Sequence, residues 1–147
     1  MEKKEKKSVW MLGHEIHLIP CGGQYFVLDV VTPRGVSGPP PHLHEDSDEM
    51  FYVLEGALEL LCGEDWQRVE AGESFNVPRG EVHTFRNPTE GSVRWLTAWN
   101  PPGFQDWFAN HGVNAAEPDA AARSVSEDAI LAAVGAAASY GMVLAED

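Results

Sequence analysis

The sequence predicts an all-β domain, either a sandwich or a barrel, followed by a short helical tail. From Trp10 to about Thr97 the chain consists of short apolar or alternating runs, and breaks with Gly and Pro separate them at regular spacing, as is typical of all-β domains. After Pro101 and Pro102 the hydrophobic residues recur with the period of a helix. At 147 residues the chain has the length of one ordinary domain with one core.

Eight segments have the alternation or the apolar composition of β-strands. They are residues 9–19, 24–31, 49–54, 57–61, 67–70, 74–77, 82–86 and 92–99. The breaks between them contain residues that favour turns, such as Gly22 and Gly23, the proline-rich run 33–41, and the turn 78–80. The segments are therefore predicted to pair as short strands joined by tight connections.

Two helices are predicted in the tail. The first covers residues 103–111 and can end at Gly112. Three aromatic residues share one face of it: Phe104, Trp107 and Phe108. The second helix begins after Ser126, which can act as its N-cap, and ends at Gly141. We expect the aromatic face to pack on the β-domain, with closure of a site over a substrate as the alternative.

Charge limits the partners that the protein can have. The formal net charge is −13, and all four lysines lie in residues 1–7, so six arginines face 21 acidic residues in the rest of the chain. Such an acidic surface repels phosphate backbones and anionic lipids, so we expect neither a nucleic acid nor a membrane as partner. The sequence has no apolar run of about 20 residues and no apolar segment after its basic start, so a cytoplasmic location is expected. We divide the chain into a flexible charged N-terminus (1–7), a β-barrel (8–102) and a helical tail that packs on the barrel (103–147).

The most informative segment is residues 38–56, GPPPHLHEDSDEMFYVLEG. In an extended chain successive side chains alternate between faces, so His42 and His44 project to the same side. A loop of four residues then brings Glu49 to the start of the next strand, where Glu49 and Phe51 share a face. Two imidazoles and one carboxylate can therefore converge.

A second segment, residues 72–87, has a turn followed by a strand that begins near His83. If that strand lies across the barrel from the first segment, His83 completes a site of three histidines and one carboxylate. Imidazole and carboxylate ligands suit one divalent transition metal, namely Fe, Mn, Ni, Cu or Zn. Such a ligand set leaves coordination positions open, as catalytic sites do.

These two segments resemble the two motifs of the cupin superfamily. The first motif is G-x5-H-x-H-x3,4-E-x6-G, and the chain has H-x-H-x4-E-x6-G from His42 to Gly56, with Val36 in the place of the leading glycine. The second motif, G-x5-P-x-G-x2-H-x3-N, is matched at every fixed position from Gly72 to Asn87. The resemblance implies a cupin barrel, that is, a double-stranded β-helix or jelly roll. It also implies that four side chains hold the metal: His42, His44, Glu49 and His83.

Within the superfamily, the chain resembles the small single-domain cupins related to quercetin dioxygenases. This resemblance implies a metal-dependent dioxygenase acting on a small enolic or aromatic substrate, with Glu49 as the catalytic residue that accepts a proton from a substrate hydroxyl. Two alternatives stay open, because a fold does not determine a function. One is a non-redox isomerase or polyketide cyclase with the metal as Lewis acid, and the other is a module that binds a small ligand without turnover. Cupins commonly pair through β-strands, so a homodimer is expected.

Other aromatic and histidine residues are weaker candidates. Phe51, Phe75 and Phe85 share the inward face with Glu49 and His83 by parity, so they either line a substrate pocket or fill the barrel core. Two tryptophans share one face of the last strand, and the sequence does not determine whether that face is the inner one: Trp95 and Trp99. Three histidines are interpreted as surface or packing residues: His14, His17 and His111.

Overall fold

The structure of the protein, a computed structural model, describes residues 7–145. Within this range the chain forms twelve β-strands, three α-helices and one 3₁₀ turn. The strands are β1 (Lys7–Met11), β2 (His14–Ile19), β3 (Phe26–Thr32), β4 (His42–His44), β5 (Asp48–Glu55), β6 (Ala57–Cys62), β7 (Asp65–Glu70), β8 (Ser74–Val77), β9 (His83–Arg86), β10 (Val93–Asn100), β11 (Val113–Asn114) and β12 (Met142–Leu144). The helices are α1 (Gln105–His111), α2 (Ala120–Ser124) and α3 (Glu127–Ala136), and the 3₁₀ turn Ala137–Tyr140 follows α3.

Two antiparallel sheets enclose one hydrophobic core. The first sheet has seven strands in the order β11-β1-β2-β3-β10-β5-β8, and the second has five in the order β12-β4-β9-β6-β7. The pairs β3–β10 and β4–β9 join strands that are distant in sequence, as the crossing connections of a jelly roll require. The predicted fold class, an all-β cupin barrel with short C-terminal helices, is confirmed.

The first predicted strand, residues 9–19, is wrong as a single strand. The structure divides it into β1 and β2, which pair with each other through a turn at Leu12 and Gly13. Both turn residues have positive φ, 51° and 87°, as tight hairpins require. The turn is hard to see in the sequence because leucine, which rarely adopts this conformation, stands where asparagine or aspartate usually does.

The tail contains both predicted helices and also contributes strands. The Ser126 hydroxyl caps α3 by accepting a hydrogen bond from the Ala129 N–H, and the Gly112 N–H closes α1 on the Phe108 carbonyl. In addition, β11 pairs with β1 and β12 pairs with β4, so the tail extends both sheets. Of the predicted N-terminal segment 1–7, Lys7 opens β1 and the other residues lie outside the described range.

The core contains many aromatic side chains, and β10 contributes two of them. Alternate residues along this strand are buried, and they include Trp95, Thr97 and Trp99. Trp95 stacks on Phe51 with the ring centroids 5.1 Å apart, and Trp99 stacks on Phe26 at 5.3 Å. Both tryptophans therefore face the inside of the barrel. No helix in residues 7–145 is long and apolar enough to span a membrane.

Candidate metal centre

Three strands bring the four predicted ligands together inside the barrel. His42 and His44 come from β4, and His83 comes from β9, where it pairs directly with His42. One ligand nitrogen of each histidine lies within 4.8 Å of those of the other two. Glu49, at the start of β5, places its Oε1 3.0 Å from His83 Nε2 and 3.3 Å from His44 Nε2. All four residues are buried, so the cluster of three histidines could hold one metal ion.

The loop before β4 allows this convergence because Gly38 lies against a ring of the core. A Cβ atom at this position would come within 2.7 Å of the Phe85 ring. The Gly38 N–H donates to the Phe85 carbonyl, which fixes the loop next to β9. The proline-rich run that follows leads the chain into β4 with both imidazoles turned inward.

Backbone hydrogen bonds determine which imidazole nitrogens can bind a metal. His42 Nδ1 lies 2.9 Å from the Pro40 carbonyl, and His83 Nδ1 lies 3.0 Å from the Glu81 carbonyl. Because a carbonyl only accepts, both Nδ1 atoms must carry the proton. Each Nε2 is then left for the centre of the cluster, which is how metal-binding histidines are commonly oriented. His44 Nε2 is buried without a hydrogen-bond partner in residues 7–145, as expected of a nitrogen whose lone pair is reserved for a metal.

Glu49 is held as a carboxylate. Its Oε2 accepts a hydrogen bond of 2.7 Å from the Thr97 hydroxyl on β10, and its Oε1 accepts one from His83. Burial acts to raise the pKa of Glu49, but the close polar contacts and the charges of His44 and His83 outweigh it and hold the pKa well below the ordinary value. An ionised oxygen therefore faces the three histidines.

Two of the histidines differ in how they hold protons. Burial and the nearby His83 and His44 lower the pKa of His42 to about 3, so its Nε2 lone pair is free at neutral pH. Burial also acts to lower the pKa of His83, but the hydrogen bond and charge of Glu49 raise it above the ordinary value. Both His83 nitrogens face acceptors, the Glu81 carbonyl and the Glu49 carboxylate, so a metal ion bound at Nε2 would take the place of a proton. The donor set, its burial and the orphaned His44 nitrogen all fit a bound divalent transition metal.

The ligands line a cavity of about 50 Å³ inside the barrel, here called the inner cavity. Beyond the ligands, His14 and Thr97 are the polar residues other than tryptophan that line it within residues 7–145, and no lysine or arginine of this range does so. Phe51 and Phe85 are part of its wall. Phe75 is not, although it opposes Phe51 on β8. It packs half-buried on the core, because β8 lies at the edge of its sheet.

His14 lines the same cavity and serves packing, whereas His17 points to the other face of β2. The Nε2 atom of His14 lies 3.0 Å from the Ser37 carbonyl, and its Nδ1 atom lies 3.0 Å from the Thr32 hydroxyl. Both ring nitrogens of His14 are therefore hydrogen-bonded. Burial lowers the pKa of His14 to about 4, against the hydrogen bond to Ser37. A neutral His14 with both nitrogens paired has no free group for acid–base chemistry.

The aromatic face of α1 closes the cavity from the tail. Phe104, Trp107 and Phe108 all line it, and the Phe104 ring lies 4.9 Å from the His44 ring. The Trp107 indole N–H donates to the Ala133 carbonyl at 2.8 Å, which ties α1 to α3. On this face, the Phe108 ring lies 6.0 Å from the rings of Phe26 and Trp99 in the barrel.

An outer cavity of about 270 Å³, here called the vestibule, adjoins the metal centre. It is lined by His44, Asp46, Ser47, Pro102, Gly103, Phe104, Ser139, Tyr140 and Gly141. His44 and Phe104 border both the vestibule and the inner cavity. The two cavities therefore meet at these two residues.

Two residues at the centre were not found from the sequence: Thr97 and Trp99. Both lie on the inner face of β10, outside the two motifs. The shared face of Trp95 and Trp99 was visible, but its direction depends on the register between β10 and β5, in which Trp99 opposes Glu49. Because Glu49 faces inward, the residue that opposes it on β10 must face inward too, but the sequence alone does not give the register that identifies this residue.

Comparison with known proteins agrees with the fold. Residues 28–99 match the family model of the cupin domain, and these residues contain all four predicted ligands. The chain belongs to the cupin superfamily, whose members commonly bind a metal.

Three similar proteins show how far the comparison extends. Germin-like protein 1-1 of Oryza sativa subsp. japonica is 38% identical over 66 residues, which are 42% of this chain and 31% of that protein. Quercetin 2,3-dioxygenase of Bacillus subtilis is 27% identical over 81 residues, which are 52% of this chain and 24% of that protein. The crystal structure of a sugar phosphate isomerase from Silicibacter pomeroyi superposes with a TM-score of 0.58 and 24% identity, over 63% of this chain and 62% of that one. The chain spans less than half the length of the curated relatives it matches, and the likeness to the solved structure shows the fold alone.

Proposed function

We propose that the protein is a metal-dependent dioxygenase that acts on a small enolic or aromatic substrate. In this proposal one divalent transition metal is held by His42, His44, Glu49 and His83, and the substrate binds next to it in the inner cavity. When bound, the metal supplies a site that activates the substrate toward dioxygen, with positions left open for both. The similarity to quercetin 2,3-dioxygenase over 81 residues supports the proposal.

The observation that carries the proposal is the contrast between the ligands and the walls of the cavity. The four ligands are buried and charged or polar, whereas the walls are almost wholly aliphatic and aromatic, without a lysine or an arginine. A pocket of this kind favours a flat apolar molecule with few polar groups. A phosphorylated sugar would need cationic or hydrogen-bonding partners that these walls do not contain.

Glu49 is the residue that moves a proton in this reaction. Its carboxylate is ionised and oriented by Thr97, so it can accept the proton of a substrate hydroxyl that comes within hydrogen-bonding distance. The aromatic walls then exclude water from the resulting anion. Phe104 borders both the vestibule and the inner cavity, so a substrate that passes from one to the other would contact its ring.

The experiment is oxygen uptake by protein loaded separately with Fe(II), Mn(II), Ni(II) or Zn(II). A flavonol and a panel of simpler enols are the substrates. We expect uptake with at least one of the redox-active or nickel-loaded forms, and its loss in Glu49→Gln, which keeps the shape of the side chain but removes the proton acceptor. Glu45→Gln, an exposed neighbour of β4, is the matched control and should keep the activity.

The alternatives predict different results. Turnover of an enol or a carbonyl compound by the Zn(II) form without oxygen would replace the proposal by an isomerase or cyclase. Tight binding of a small molecule without oxygen uptake in any metal form would replace it by a binding module. The predicted homodimer and the cytoplasmic location stay predictions.

A further inference from the structure

Trp99 has a buried hydrogen-bond donor that the protein leaves unpaired. Its side chain is 3% exposed and lines the inner cavity, and its indole Nε1 is buried without a hydrogen-bond partner in residues 7–145. The other tryptophans of the cavity wall are paired: Trp95 donates to the Thr32 hydroxyl at 2.9 Å and Trp107 to the Ala133 carbonyl at 2.8 Å. Leaving a buried donor unpaired costs free energy, so it calls for a specific reason.

The surroundings of Trp99 show where a partner can come from. Its ring packs against three aromatic rings, with centroid distances between 5.3 and 6.0 Å: Phe26, Phe104 and Phe108. None of these carries an oxygen or nitrogen acceptor. Two residues of the metal centre also lie near it. Trp99 opposes Glu49 in the register of β10 and β5, which places the two side chains on one face, and the His44 ring lies 5.8 Å away.

We propose that Trp99 is a specificity-determining residue whose indole N–H donates a hydrogen bond to an oxyanion held in the inner cavity. The inference rests on the proposed function, because it places that oxyanion at the metal centre. An indole N–H donates and never accepts, so it favours a deprotonated oxygen. Glu49 is its complement, since a carboxylate accepts and does not donate. Together the two residues select a ligand that gives a proton to Glu49 and leaves its negative oxygen facing Trp99, as an enol does.

Formate is a suitable probe because it is a small oxyanion that suits a cavity of about 50 Å³. The Zn(II)-loaded protein is titrated with formate while the indole N–H signals of its five tryptophans are followed by ¹⁵N–¹H NMR. We expect the Trp99 signal to move downfield and the Trp95 signal, already hydrogen-bonded, to stay in place. Zn(II) is used because it is diamagnetic.

The matched variants are Trp99→Phe and Trp10→Phe. Trp99→Phe keeps an aromatic ring and removes the N–H, so it should weaken formate binding about ten-fold, as the loss of one hydrogen bond to a charged group does, without weakening Zn(II) binding. Trp10→Phe makes the same change on the outward face of β1 and should leave formate affinity unchanged. If Trp99→Phe does not fold, the shift of the Trp99 indole signal on formate binding to the wild-type protein still tests the proposal.

The proposal is overturned if saturating formate leaves the Trp99 signal in place, or if Trp99→Phe binds formate as tightly as the wild type. These outcomes are separate from a failure of the proposed function. A protein in which formate moves the Trp99 signal, but which consumes no oxygen with any enol, would lose the dioxygenase assignment and keep the oxyanion site.

Discussion

Among single residues, Thr97 determines how Glu49 is presented to the metal. Its hydroxyl donates to the Glu49 oxygen that does not face His83, so it fixes the rotation of the carboxylate. Groups that orient a metal ligand in this way commonly change metal affinity by about 10- to 100-fold when removed. Thr97→Val keeps the shape of the side chain, and we expect it to weaken metal binding by that factor in competition with a chelator of known affinity.

Thr84 provides the control for this prediction. It is also buried, and its hydroxyl donates to the Pro39 carbonyl at 2.6 Å rather than to a metal ligand. Thr84→Val should lower the free energy of unfolding by about 1 kcal/mol, as the loss of a hydrogen bond does, and leave metal affinity nearly unchanged. Equal metal affinities in both variants would show that Thr97 does not position Glu49.

His14 belongs to a buried chain of hydrogen bonds that is sensitive to pH. Because the Ser37 carbonyl only accepts, His14 Nε2 must be its donor. A neutral His14 then accepts at Nδ1 from Thr32, whose oxygen accepts in turn from Trp95. Protonation of His14 would add a second donor where an acceptor is needed, in a site that also disfavours charge.

The stability of the protein should therefore fall in acid through His14. Its pKa is about 4 in the folded protein and 6.5 as the ordinary value. The unfolded chain thus gains a proton first as the pH falls below 6.5, and stability is lost progressively down to pH 4. Between pH 7 and pH 5 this difference amounts to about 2 kcal/mol. Urea unfolding of His14→Gln, compared with the wild type at the two pH values, should lack that share of the loss; parallel losses in both proteins would assign it to other groups.

Among the structural elements, β12 supports the metal centre in a way that the sequence does not predict. It pairs with β4, opposing Met142 to His44 and Leu144 to His42, and therefore supports the strand that carries two of the four ligands. Met142 is also buried and lines the inner cavity. Without β12, β4 would become the edge of its sheet, with unpaired backbone groups open to other chains.

A chain ending at Gly141 tests this role. Losing the burial of Met142 alone costs about 2–5 kcal/mol, so we expect a lower unfolding midpoint, weaker metal binding and a tendency to aggregate. These are measured by thermal unfolding, metal competition and light scattering. A chain ending at Ala145 retains all of β12 and serves as control. If both chains bind metal equally well, β12 does not support β4.

The sequence predicts elements well where a local signal is strong. Ser126 and Gly141 delimit the second helical region as expected, because capping chemistry acts over a few residues. The four ligands could be predicted for a similar reason, since the two motifs fix their spacing. By contrast, β12 has only three residues and no turn signal, and its pairing with β4 depends on the whole chain. The direction of Trp99 depends on a long-range register in the same way.

At the scale of the whole molecule, the two cavities determine how a substrate can reach the metal centre. The inner cavity of about 50 Å³ is well below the roughly 300–1,000 Å³ of pockets that hold drug-sized ligands, so a flavonol can enter only if side chains around it move. The vestibule is several times larger and shares His44 and Phe104 with the inner cavity. Gly103, just before Phe104, has open space where a Cβ would be. Of the two residues that border both cavities, His44 is a metal ligand, so we expect Phe104 to be the side chain that moves when a larger ligand enters.

Phe104→Ala should join the vestibule to the inner cavity and speed the entry of ligands. We expect the association rate of a flavonol, followed by quenching of tryptophan fluorescence in a stopped-flow instrument, to rise about ten-fold, since gating by the protein lowers association rates below those of open sites. The cost in stability should be about 3–5 kcal/mol, typical of a buried phenylalanine replaced by alanine. Phe108→Ala is the control, because Phe108 lines the inner cavity but not the vestibule. It should cost similar stability and leave the association rate unchanged, whereas equal acceleration in both variants would mean that ligands enter by general loosening of the tail rather than past Phe104.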